Sequence, residues 1–154
     1  MDFSVAASIG GLPDFLMYLG AALILTVIYA VLYGVVTAHN ELKLIRENNV
    51  AAAVAFGGSL LGFVLPLSSA IQNSVSLGDC VIWGVIALVV QVLAYLLLRL
   101  CIDGLSRRIE EGQIAAGVWL GAGSLAAGMI NAACMTYYRH QYANPIDQRP
   151  TLKG

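Results

Sequence analysis

The sequence predicts an all-α, polytopic membrane protein: four transmembrane helices arranged as two parallel two-helix repeats. Three observations carry that reading. Apolar residues make up 59% of the 154 residues and charged residues 11%, where a soluble domain carries about a quarter charged. The charges are also segregated, with none in 15–38, 50–78, 80–98 or 114–138. Finally, one phrase is written twice. "HNELKLIRENNVAAAVAFGGSLLG" starts at His39, and "IEEGQIAAGVWLGAGSLAAG" starts at Ile109. Each runs from charged residues into Ala and Gly.

A helix needs roughly 20 apolar residues to cross a bilayer core about 30 Å thick. All four runs approach or exceed that length, and mean hydropathy is +0.80. They predict helices at about 14–38, 50–72, 79–101 and 114–138. Barrel strands are excluded, because the runs are too long and too uniformly apolar to alternate. Residues 1–13 read as a short outer segment. They lack the positive region of a secretory signal and carry Asp2. Pro13 suits the first turn of a helix, where its missing N–H is no loss. Residues 139–154, with two of the four prolines, read as a flexible tail.

Lys and Arg in short loops set orientation. Lys43, Arg46, Arg107 and Arg108 lie in the two repeated loops, with Arg99 close enough to snorkel to the same side. Arg139, Arg149 and Lys153 lie in the tail. The balance places the two loops inside, on the cytosolic face of the membrane, and both termini outside. The partner classes follow from the same counts. The lipid bilayer is one, a second copy of the chain is another, and the charged loops suit a cytosolic or membrane protein. A net charge of −1 without a basic patch argues against nucleic acid.

The repeat has an offset of 64. Ile45 meets Ile109, Glu47 meets Glu111, Val50 meets Ile114 and Gly57 meets Gly121. Residues 14–73 form the first unit and 79–138 the second. Two helices separate equivalent points, so the units are parallel and not inverted. Lys43 and Glu47, like Arg107 and Glu111, stand four apart, so each charged turn either extends its helix by about one turn or is a solvated loop held inside by its positive charge. Beyond the turns come two stripes of small residues: Ala51, Ala55, Gly58 and Gly62, then Gly117, Gly121, Ser124 and Gly128. Small stripes let helix backbones approach closely in lipid. The second and fourth helices are therefore expected to be central, and the first and third more lipid-facing.

The wording of these segments, together with "WGVIALVVQ" and "GMINAACM", resembles the bacterial inner-membrane family known as domain of unknown function 350, the YjfL-like proteins. The resemblance covers residues 14–138, nearly all but the two ends. It implies small proteins of two repeats, each of two helices, in an envelope-stress setting with a membrane partner. It names no reaction.

Candidate functional residues are few. No Asp, Glu, Lys or Arg lies in the middle of a span, where coupled transporters often keep one. Gln91 and Asn131 are expected to bridge helices, or else to line a polar path. Pro66 frees a carbonyl near Gly62 and bends its helix. That bend either matches shape within the bundle or opens a hydrated cavity, with Ser68 and Ser69 able to satisfy loose backbone groups. His39, Asn40 and Glu41, at the end of the first span, either cap the structure or bind a ligand and sense pH. A metal site normally recruits more than one His or Cys, so no metal or cofactor is expected. Cys80, Cys101 and Cys134 show no paired spacing. No catalytic constellation is present, and an enzyme is not expected.

Overall fold

The computed structural model describes residues 9–37 and 41–142, with side chains described through Tyr137. Among the described residues six helices follow in order: α1 (Leu12–Val36), α2 (Glu41–Arg46), α3 (Val50–Asn73), α4 (Leu77–Cys101), α5 (Leu105–Glu110) and α6 (Ile114–Tyr142). Among the described residues there is no strand. Helices α1, α3, α4 and α6 are each long and apolar enough to cross a membrane. The chain is an all-α polytopic membrane protein.

Local chemistry sets the boundaries. Pro13 sits in the first turn of α1. Ser76 caps α4 by accepting from the Asp79 amide at 3.2 Å, and Asp79 reaches back to the Val75 amide at 3.1 Å. That exchange satisfies two otherwise orphaned donors. Asn49 caps α3 by accepting from the Ala52 amide at 3.0 Å.

The charged turns are separate short helices, α2 and α5, and do not extend the spans as expected. Each ends in a left-handed residue that breaks the helical path: Asn48 at φ 61° and Gly112 at φ 77°. Asn and Gly tolerate this conformation best. The closing backbone bonds also correspond. Asn49 donates to the Leu44 carbonyl and Gln113 to the Arg108 carbonyl, both at 2.9 Å. Such a bond satisfies a last-turn carbonyl before the chain turns into the next helix. The bounds differ at the other ends too. The third span begins at Leu77, and α6 continues to Tyr142, past the point where the tail was expected to start.

The core lies between α3 and α6, which run parallel. The span window of α3 is 44% buried and that of α1 only 11%. The third span exposes most of its large apolar side chains, such as Ile82, Val89, Leu93 and Leu97, and turns one stripe inward. Cys80, Gly84, Ala87, Gln91 and Tyr95 form a buried stripe along α4. α1 attaches through buried Leu25, Tyr29 and Tyr33, with Ala22 and Val36 packed beside them. Tyr29 stacks on Phe63 with ring centroids 4.5 Å apart. Tyr33 packs against Phe56 and edge-on against Tyr95, both at 5.6 Å. Aromatic pairs in these geometries add about 0.5–1.5 kcal/mol each beyond area burial. A small aromatic cluster thus holds the most exposed span to the bundle.

Candidate functional site

The two small-residue stripes meet face to face. A methyl group at Gly58 would collide with the Gly121 backbone, one at Gly117 with the Ala51 carbonyl, and one at Gly62 with the Ser124 carbonyl. At Gly121 it would stand 2.6 Å from the Val54 carbonyl oxygen. Ala51 and Ala55 are fully buried on the same side of α3. Glycine is required here because backbone meets backbone.

Pro66 joins this contact. It lacks an amide hydrogen, so the Gly62 carbonyl one turn earlier has no helical donor. That oxygen packs against Gly128, where a methyl group would overlap it. Approaches of this kind place a Cα–H on a carbonyl oxygen, a weak attraction. Pro66 is itself buried. Ser69 turns to the neighbouring helix, donating to the Ala132 carbonyl at 3.1 Å and lying 3.3 Å from the Thr136 hydroxyl. Ser68 accepts from Gln72 one turn on.

Next to Gly62 lies a buried polar group of four side chains. Gln91 donates to the Ser124 carbonyl at 2.9 Å. Tyr29 and Ser59 share a hydrogen bond of 2.5 Å, and the Gln91 side chain lies beside the same phenol. Gln91, Ser59 and Ser124 are all 0% exposed. The Gln91 amide oxygen and the Ser124 hydroxyl have no hydrogen-bond partner within the protein. Buried polar atoms usually find one, so these two form an unsatisfied polar spot in the core. Asn131 sits farther along α6, half-buried, and its amide nitrogen also lacks a protein acceptor.

At the hairpin end, Glu41 is 3% exposed. It begins α2, near the buried Tyr33 of α1. His39 and Asn40 lie outside the described residues. The other hairpin charges point outward: Lys43, Arg46, Arg107 and Arg108 are exposed. Lys43 pairs with Glu47 at 4.0 Å and Arg107 with Glu111 at 3.3 Å.

A single residue joins the two hairpins. The Asn49 side-chain amide donates to the carbonyls of Ile109 at 2.9 Å and Glu110 at 3.1 Å. These are last-turn carbonyls of α5, and that of Ile109 also accepts from the Gly112 amide at 2.9 Å. Arg108 and Gln113 add a 2.7 Å bond beside them. An open cavity of about 380 Å³ lies between the hairpins, lined by Glu47, Asn49, Glu110, Glu111 and Gly112 among others.

Sequence reasoning alone did not single out Tyr29, Tyr33, Ser59, Tyr95 or Asn49. One signal was available. Leu25, Tyr29, Tyr33 and Thr37 recur at steps of four, which puts them on one helix face. The described cysteines are all free thiols. Among the described residues no group of three or more His, Cys, Asp or Glu is placed to hold a metal ion.

A family model described as Domain of Unknown Function (DUF350) matches residues 7–135. The chain is 47% identical over 120 residues to the UPF0719 inner membrane protein YjfL of Escherichia coli (strain K12), spanning 78% of this chain and 89% of that protein. The YjfL of Escherichia coli O157:H7 gives the same figures. The UPF0719 transmembrane protein YshE of Bacillus subtilis (strain 168) is 29% identical over 84 residues, or 54% of this chain and 63% of that one. No solved structure matches. With four apolar spans and inner-membrane relatives across most of its length, the chain is a multi-pass inner-membrane protein and belongs to the DUF350 family.

Proposed function

We propose that this protein is a non-enzymatic structural component of the bacterial envelope, stress-associated in its setting. It works as a homo-oligomer and recruits a partner through its two hairpins. The observation that carries this reading is the Asn49 bridge, which fuses two charged turns into one surface. The core behind that surface is closed by direct backbone contact between α3 and α6. Lys43, Arg46, Arg107 and Arg108 are therefore presented together on a rigid base. The chain is read as two copies of one unit in parallel, with an offset of 64. What supports the repeat is the same turn, with matching backbone bonds, closing α2 and α5. The apolar surface of α1 is available to lipid and to neighbouring copies.

The hairpin charges act at an aqueous surface, where electrostatic attraction is screened over about 8–10 Å at physiological salt. Exposed ion pairs contribute only about 0–1 kcal/mol to stability. Replacing Arg46 and Arg107 by Gln is thus expected to leave melting unchanged and to reduce co-purification of a cytosolic partner. Unaltered partner recovery with altered ion flux in liposomes would replace the scaffold by a channel. That second reading, a small channel or permease, has one observation in its favour. Gln91 and Ser124 place unsatisfied polar atoms in the core, with that of Asn131 farther along α6.

In this reading both termini face the periplasm, because the hairpins carry more of the Lys and Arg. A reporter active only outside the cytoplasm, fused after Gly154, is expected to be active. Activity confined to a cytosolic reporter at that position reverses the orientation.

A further inference from the structure

Where α4 passes into α5, an open cavity of about 590 Å³ is lined by Leu96, Leu100 and Leu105 and by Arg99, Asp103 and Ser106. Sites for small ligands are of this size. Arg99 is the first charge after the charge-free run from Cys80 to Leu98, and Asp103 follows four residues on. Both are exposed and line the cavity, yet neither side chain makes an ion pair or hydrogen bond among the described residues. The neighbours set the depth. Leu93, Leu97 and Leu100, at steps of four and three, form an exposed apolar track along α4 to this point. Trp119 of α6 is exposed and donates its indole N–H to the Leu98 carbonyl at 3.4 Å. Tryptophan collects where headgroups meet hydrocarbon. The two charges therefore stand at headgroup level, at the end of a lipid-facing track.

We propose that this cavity is a phospholipid site, selective for a zwitterionic headgroup that carries a primary ammonium, as in phosphatidylethanolamine. Arg99 binds the phosphate, for which the guanidinium fork is well matched. Asp103 accepts from the ammonium group, and an acyl chain lies along the leucine track. Charge balance decides the headgroup. A basic pocket alone selects anionic lipids, but here an anionic headgroup would set its net charge beside the Asp103 carboxylate. Choline is positive but has no N–H to donate to that carboxylate. A primary ammonium beside a phosphate gives each charge in the cavity a partner of opposite sign that also hydrogen-bonds it. The site stands whether or not the hairpins recruit a partner.

The test is native mass spectrometry of the full-length protein in mild detergent, titrated with phosphatidylethanolamine, phosphatidylcholine and phosphatidylglycerol of identical acyl chains. Phosphatidylethanolamine is expected to bind tightest to the wild type. Arg99→Gln is expected to weaken it about tenfold, the loss of one charge-assisted contact. Asp103→Asn is expected to abolish the preference over phosphatidylcholine and to raise phosphatidylglycerol above its wild-type level, because the repelling carboxylate is gone. Such a gain does not follow from misfolding. Equal retention of the three lipids by the wild type overturns the proposal, as does a wild-type preference for phosphatidylglycerol. So does an ethanolamine preference that survives both substitutions, which would place the lipid elsewhere on the protein. Displacement of the bound lipid by an equal concentration of soluble glycerophosphoethanolamine would make this a solute site and overturn it too.

Discussion

Leucine at Gly58 or Gly128 is expected to dismantle the protomer itself. The new side chain would start inside the Gly121 backbone in one case and on the Gly62 carbonyl in the other. Neither neighbour is a flexible side-chain end that could swing away. Overpacking typically costs about 1–3 kcal/mol, and more when it must move backbone; these two positions fall at or above the top of that range. Thermal unfolding in mild detergent measures it. The control is Leu23→Ala on α1, because Leu23 is 57% exposed. Leu25 is unsuitable, as it is buried and stands against Gly84. Equal melting temperatures for the Gly variants and the control would mean that α3 and α6 do not meet through these stripes.

Asn49→Ala is expected to cost about 2–3 kcal/mol, unusually much for a loop residue. The cap on Ala52 is worth about 1 kcal/mol, and the bonds to the Ile109 and Glu110 carbonyls about 1 kcal/mol each. Asn49→Asp separates the two roles. It keeps the acceptor that caps α3 but loses both donors, and sets a carboxylate against two carbonyl oxygens. Amide hydrogen exchange distinguishes the outcomes. In Asn49→Asp the start of α3 is expected to stay protected while Glu111 to Gln113 exchange faster. Unchanged protection at that second turn in both variants would show that the hairpins are held together by something other than Asn49.

The sequence by itself determined the four spans, because charge is so costly in lipid that its absence marks them. It also contained the small stripes and the two turns, since both depend on residue size and backbone freedom at fixed spacing. Tertiary structure decided which face of each span looks inward. In a soluble helix the polar face marks the outside, but lipid and core are equally apolar, so that contrast is lost. α4 was therefore expected to be more lipid-facing, and only the structure shows that the stripe from Cys80 to Tyr95 turns to the core. The burial of Glu41 depends on how α2 folds back against the Tyr33 end of α1. The Asn49 bridge depends on a partner 60 residues away. Both are long-range placements, fixed only when α3 and α6 close on their glycines and bring the two hairpins side by side.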